Sequence, residues 1–423
     1  MMLNRHISFL QAVFKHSITA FGGPQVHTGL LQARFVEQRK DISNEELLEF
    51  NAFCQLIPGA SSTQTIILIA YKRGGIPLAF LTLLVWMFPA CSLMTLAAIA
   101  YAQFNFKEGI TSLRYLQPMS IGFIASATLL LSKKAIHNPI TKVIFIMASV
   151  MVMIGFKSPW TIPITIVLAG IATNFSEKRI PNDGLAPKKI RWSALIIFLS
   201  LFIVAGLFSE QATRNGWKYQ KAFNLFETNY RFGSFVFGGG DVLIPMMYEQ
   251  YVARPNSPRV LQNKRDVIKV SSEAFLTGSG LVRAMPGPIF SVASYTGALA
   301  LKDKGISWQI MGAFIAGIGI FLPSFLIVLF FFPIWQMLKR YAIFYRSLEG
   351  IHAAVVGIML GATIYLTKDF IVNMVQFHPM VWILSVLTFL LSTYFIYQQK
   401  IPTQWVVFFA ILLGVLCNYL PLP

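Results

Sequence analysis

The chain predicts an all-α polytopic membrane protein made of two homologous helical repeats in inverted orientation, with broken or re-entrant helices at matching Gly/Pro motifs. Three observations predict it. The 423 residues are 55% hydrophobic and only 12% charged, with mean hydropathy +0.62, whereas a soluble chain carries about 25% charged residues. Apolar runs long enough to cross a bilayer as a helix, about 20 residues, recur along the chain. Phe-Gly-Gly occurs twice, in AFGGPQVH (Ala20 to His27) and VFGGGDVL (Val236 to Leu243), each time closing an apolar stretch.

Taken in order, region 7–33 is moderately apolar and interrupted by Gly22, Gly23 and Pro24, and region 44–71 is interrupted by Pro58 and Gly59. Both read as broken or re-entrant helices. Spans follow at 75–101, 112–132, 142–156 and 160–174, the last two a tight pair about Lys157-Ser158-Pro159. The hydrophilic stretch SEKRIPNDGLAPKK then divides the chain, and 193–209 forms an additional span. Regions 221–252 and 270–300 are broken like the first two, and spans complete the chain at 306–336, 347–367, 379–396 and 403–420. The organisation is thus a first repeat at 1–175, a linker at 176–192, a connecting transmembrane helix at 193–210 and a second repeat at 211–423.

The repeat rests on order. Phe21 matches Phe237 at an offset of 216, Pro58-Gly59 matches Pro286-Gly287 at 228, and Glu45 falls on Glu273. FPAC around Pro89 resembles LPSF around Pro323. Interrupted helices at matching places in two halves are the sequence mark of a transporter's binding site. Unpaired backbone groups are tolerated in the hydrocarbon only where protein or a wet cavity satisfies them. A shared wet pocket between the breaks is therefore expected.

Net charge is +18. In so apolar a chain the basic residues belong to loops, where they set topology and meet anionic lipid, and no nucleic-acid partner is expected. The basic linker argues for a cytoplasmic position, but basic residues recur on several successive loops of the second half, and no simple alternation satisfies all of them. Cys54, Cys91 and Cys417 stand apart and suggest neither disulfide nor metal. The six histidines lack metal-ligand spacing, and no nucleophile elbow or ATPase-type phosphate loop is present. No enzyme activity, cofactor or metal is expected, and uphill movement would draw on an ion gradient or a partner.

An anion needs donors. A helix restarting after Pro58-Gly59 offers its first amides, with Ser61, Ser62, Thr63 and Gln64 beside them; one restarting after Pro286-Gly287-Pro288 does the same with Ser291 and Ser294. Gly22, Gly23, Gly238, Gly239 and Gly240 allow close backbone approach, although such residues also serve plain helix packing. Arg283 stands in an uncharged stretch, LTGSGLVRAMPGPIF, and reads either as an oxyanion ligand or as the partner of Asp241. The counterparts of Arg283 and Asp241 in the first half are the neutral Gln55 and Gln25. His27 and Asp241 are the proton-coupling candidates. Glu45 and Glu273 read as helix caps.

FGGPQVH, then LLQARFVEQRKDISNEELLEFNAFCQLIPGASSTQ, then FGGGDVLIPM and RAMPGPIFSVASYTG, resemble the two-domain members of the chromate ion transporter family. The resemblance implies secondary active efflux of chromate, a tetrahedral dianion shaped like sulfate, by oppositely oriented halves coupled to the proton-motive force. It thus implies an antiporter of the cell membrane that confers chromate resistance. It carries the family motif onto Phe21, Gly22, Gly23, Pro24 and His27, onto Gln55, Pro58, Gly59, Thr63 and Gln64, and onto Phe237, Gly238, Gly239, Gly240, Pro245, Pro286, Gly287 and Pro288; most of these, with Ser62, Arg283 and Ser291, are the expected substrate-binding residues. This sequence departs from the pattern at Ala60, where proline is common, at Asp241, and at Arg283, where glutamine is common. A sulfate or other inorganic anion transporter, a passive anion channel and, more remotely, a membrane-embedded enzyme are the alternatives. The expected partners are the oxyanion, the lipid bilayer and, as an assembly, a homodimer.

Overall fold

Apolar runs in this chain become helices because each residue then satisfies its own backbone, and turns form where Gly, Pro or a capping side chain ends the run. The computed structural model describes residues 2–22, 24–103, 112–156, 158, 160–173, 192–237, 239–262, 267–338, 342–374 and 378–419. Among them are 17 α-helices and no strands.

In the first half these are α1 (Met2–Ser17), α2 (Pro24–Leu31), α3 (Asn44–Leu56), α4 (Ser61–Gln103), α5 (Leu116–Ala135), α6 (Pro139–Gly155) and α7 (Thr161–Ala172). After α8 (Trp192–Arg214) come α9 (Gln220–Phe235), α10 (Gly240–Tyr248), α11 (Pro258–Gln262), α12 (Ser272–Leu281), α13 (Val292–Ala300), α14 (Ile306–Leu338), α15 (Ala342–Met374), α16 (Pro379–Gln398) and α17 (Thr403–Tyr419).

Local chemistry sets the ends. Ser43 caps α3, accepting from the Glu46 N–H at 3.2 Å while the Glu46 carboxylate accepts from the Ser43 N–H at 3.0 Å. Ser271 caps α12 through the Ala274 N–H. The caps are thus the serines, with Glu46 rather than Glu45 closing the box, because the N3 position faces the cap and the N2 position does not. Helix α4 is broken at Gly74 and Gly75 (φ 68°, ψ −160°), which splits off Ser61–Arg73 as a half-helix. Its counterpart is the stretch from Ile289 through α13, ended by Gly305 at φ 95°. A π-helical turn follows α2 at Gln32–Gln38, and another follows α10 at Glu249–Ala253. Linker residues 176–191, Gly23 and Gly238 lie outside the described residues, as does the side chain of Gln25.

Among the described residues five helices are long and apolar enough to cross a membrane: α4, α8, and the stretches Ile306–Trp335, Arg346–Val372 and Pro379–Gln398. Helices α6, α7 and α17 and the stretch Ile289–Ala300 are apolar but shorter. On α8, Ile196, Ile203, Leu207 and Phe208 are exposed, as a lipid-facing helix requires.

The chain forms two compact units, each drawn from both halves. One comprises Met1–Ala100, Gly184–Gly240 and Met285–Met337; the other comprises Tyr101–Asp183, Asp241–Ala284 and Leu338–Pro423. Within the second, α15 packs on α6 and α7, and α16 packs on α5. Small residues permit this: a Cβ on Gly357 would strike the Phe145 carbonyl, and one on Gly361 the Ser149 carbonyl.

Candidate functional site

The two Pro-Gly breaks meet the two Phe-Gly-Gly motifs crosswise within the first unit. The Gly59 N–H donates to the carbonyl of Val236, the residue before Phe237, at 2.7 Å. The Gly287 N–H donates to the carbonyl of Ala20, the residue before Phe21, at 2.8 Å. Each half's break is thus tied to the other half's glycine motif through equivalent residues. Both glycines have the positive φ that excludes other residues, 121° at Gly59 and 101° at Gly287. A Cβ at Gly59 would meet Ser324 Oγ at 2.6 Å, and one at Gly287 would meet Ala90 Cβ at 2.9 Å. Ala90 follows Pro89 and Ser324 follows Pro323, so each break lies on the other half's long helix at equivalent positions.

The crossing borders a cavity lined by His27, Ala60, Ser61, Ser62, Gly239, Gly240, Pro288, Ile289 and Phe290. Helices α4 and α10 and the turn Ile289–Ser291 all begin at this wall. Helix N-termini carry orphan N–H groups and a partial positive charge, so the wall suits an anion. The expected wet pocket is small: about 10 Å³, room for about one water and not for a tetrahedral oxyanion. Interlocked glycines and Ile289, whose Cβ would lie 2.6 Å from one placed on Gly240, leave no more space.

Of the site residues expected from sequence, Ser62, His27, Gly239 and Gly240 line this cavity. Gly59 and Gly287 hold the crossing, and Pro58 and Pro286 shape its turns. Gly22 (φ 100°) forms the turn before α2. Thr63 and Gln64 are buried but brace the structure: Trp86 Nε1–H donates to Thr63 Oγ1 at 3.0 Å, and Gln64 Nε2–H donates to the Pro58 carbonyl at 2.7 Å. Ser291 is buried, with no hydrogen-bond partner for its hydroxyl among the described residues. Gln55 is exposed at the end of α3 and does not line the cavity. Arg283 and Asp241 belong to the second compact unit, where Arg283 Nη1 lies 2.5 Å from Asp241 Oδ1 and the guanidinium stands 5.2 Å from the centre of the Phe123 ring. The mutual pair weighed from the sequence is present.

Sequence reasoning missed Ser324 and His16. Ser324 Oγ accepts the Ala60 N–H at 3.0 Å. That N–H exists because alanine stands here; the equivalent Pro288 has none, and its facing residue is Ala90, which has no hydroxyl. The offset between Pro89 and Pro323 contained this signal. His16, buried at the end of α1, stacks on Trp86 at 5.1 Å and lies 6.5 Å from His27, which meets the same indole edge-on. His27 Nε2–H donates to the Ala20 carbonyl at 3.1 Å.

Among the described residues no group of three or more His, Cys, Asp or Glu is placed to hold a metal.

Comparison with known proteins agrees with this architecture. An uncharacterized transporter of Methanocaldococcus jannaschii is 26% identical over 424 residues, covering 98% of this chain and 94% of that one. Proteins named chromate transport protein are similar too: that of Cupriavidus metallidurans is 24% identical over 84% of this chain and 80% of its own, and that of Pseudomonas aeruginosa 22% over 84% and 79%. No solved structure matches. Residues 7–174 and 223–415, one segment in each half, match the chromate transporter family. The chain therefore belongs to the chromate transporter family: it is a multi-pass cell-membrane transporter, not an enzyme.

Proposed function

We propose that the protein exports chromate or a closely similar tetrahedral oxyanion, coupled to protons, by alternating access around the cavity at the crossed helix breaks. The observation that carries this reading is the pair of equivalent hydrogen bonds, Gly59 to Val236 and Gly287 to Ala20, with helix N-termini from both halves at one wall. Equivalent bonds from opposite halves also support the reading of the chain as two inverted repeats, with bounds near 1–175 and 211–423. The names of the relatives support chromate as cargo. With room for one water, the cavity suits an occluded state; an oxyanion enters when one side of the crossing parts, as alternating access requires. Arg283 and Asp241 serve in this reading as an ion pair that holds the start of α10 to the end of α12.

The test is transport by the full-length protein in sealed vesicles under an imposed pH gradient, with chromate compared against sulfate, phosphate and chloride. Gradient-dependent, saturable chromate movement is expected. Gradient-independent flux of several anions would identify a passive channel, and gradient-dependent sulfate movement without chromate would replace the cargo.

A further inference from the structure

We infer that His27 takes up a proton as the oxyanion binds, so that proton and anion occupy the site together. The inference rests on the cargo and cavity proposed above.

Among the residues that line the cavity, His27 is the titratable one. The rest of the wall is hydrocarbon, serine hydroxyl and backbone, and no carboxylate among the described residues lines it. The charged and titratable neighbours have the wrong sign to steady an imidazolium. His16 approaches from α1, and Arg34, from the π-helical turn after α2, lies within electrostatic reach of His16. Trp86, from α4, presents a neutral indole. A buried cation without a counter-charge is strongly disfavoured. An arriving dianion supplies that counter-charge, and linkage makes the help mutual: whatever the anion does for the proton, the proton does for the anion.

Hydrogen bonding identifies the nitrogen. Nε2–H is held by the Ala20 carbonyl, the same oxygen that receives the Gly287 N–H. Nδ1 has no partner among the described residues. A proton therefore adds at Nδ1, creating one new donor while the Ala20 bond and the crossing stay intact. In the loaded site the dianion and the proton together carry one net negative charge.

The test is calorimetric titration of the purified full-length protein with sulfate, which stays a dianion throughout, from about pH 6 to about pH 8, the range in which histidine commonly titrates. Two buffers of different ionisation enthalpy count the protons. Wild type is expected to bind more tightly as pH falls, by up to about tenfold per unit at the one-proton limit, with proton uptake on binding. His27→Gln keeps an amide N–H for Ala20 but cannot titrate, so its affinity is expected to be flat with pH and its proton uptake absent. Binding independent of pH in wild type, proton release, or an unchanged slope in H27Q overturns the inference. If H27Q does not fold, His16→Gln with His27 intact decides: proton uptake kept in that variant supports the inference, and uptake lost in it moves the proton to His16 and overturns the inference. Failure to bind either sulfate or chromate at any pH refutes the cargo reading itself, and the linkage with it, an outcome distinct from pH-independent binding.

Discussion

Ser324 and Ala60 show how one residue's backbone dictates another's side chain. Alanine at position 60 introduces an amide hydrogen at a buried turn, and Ser324 accepts it at 3.0 Å. Removing the hydroxyl leaves a buried donor unpaired, which costs about 1–3 kcal/mol. Ser324→Ala is therefore expected to lower the thermal midpoint, and Ala60→Pro in the same background to recover most of the loss, since proline removes the donor. A scan of both variants by thermal unfolding checks this, and no recovery would count against the pairing. The Arg283–Asp241 pair obeys a similar logic with charges. Its side chains are 9% and 20% exposed, so breaking it by neutralising one partner is expected to cost about 1–3 kcal/mol, below the fully buried range. Asp241→Asn with Arg283→Gln together should cost less than the sum of the singles. Additive losses in that cycle would show that the two side chains act independently.

At the scale of elements, the breaks matter more than the spans. Two half-helices, Ser61–Arg73 and the stretch from Ile289 through α13, each begin at a positive-φ glycine and end at another. Alanine at Gly59 or Gly287 meets both a forbidden φ and an occupied space, so each substitution is expected to destabilise by about 1–3 kcal/mol from backbone strain alone and to abolish transport while α3 and α12 stay folded. Circular dichroism with a vesicle flux assay separates these effects. The serine caps are ordinary by comparison. Ser43→Ala should cost about 1 kcal/mol and leave oxyanion affinity unchanged, because the cap lies at the far end of α3 from the break.

At the scale of the molecule, each compact unit needs chain from both halves. The first contains the whole crossing, and neither partner of the Gly59–Val236 bond can find its mate in a half-chain. Residues 1–175 or 211–423 alone are therefore expected to give no oxyanion flux in vesicles; a half-chain that transported alone would show that the crossing is dispensable. Among the described residues five helices are able to cross a membrane, and α8 exposes apolar side chains along its length, which commits the molecule to the bilayer whatever its cargo.

Composition and the length of the apolar runs determined the class: with 12% charged residues, only backbone-satisfying helices can exist in hydrocarbon. The doubled Phe-Gly-Gly and Pro-Gly motifs located the breaks, because Gly and Pro act on their own backbone and need no distant partner to be recognised. Gly239 and Gly240 were legible at the cavity for the same reason, and Ser62 and His27 because they follow a break within four residues. What the breaks do to each other was decided by tertiary structure: that Gly59 reaches Val236 and Gly287 reaches Ala20, that Thr63 and Gln64 turn to brace the wall, that Gln55 stays exposed, and that Ser324 answers Ala60. The Gly59, Gly287 and Ala60 contacts depend on which groups come within about 3 Å across more than a hundred residues of chain, and the side-chain choices at Thr63, Gln64 and Gln55 depend on what packs beside them; local propensity carries no record of either.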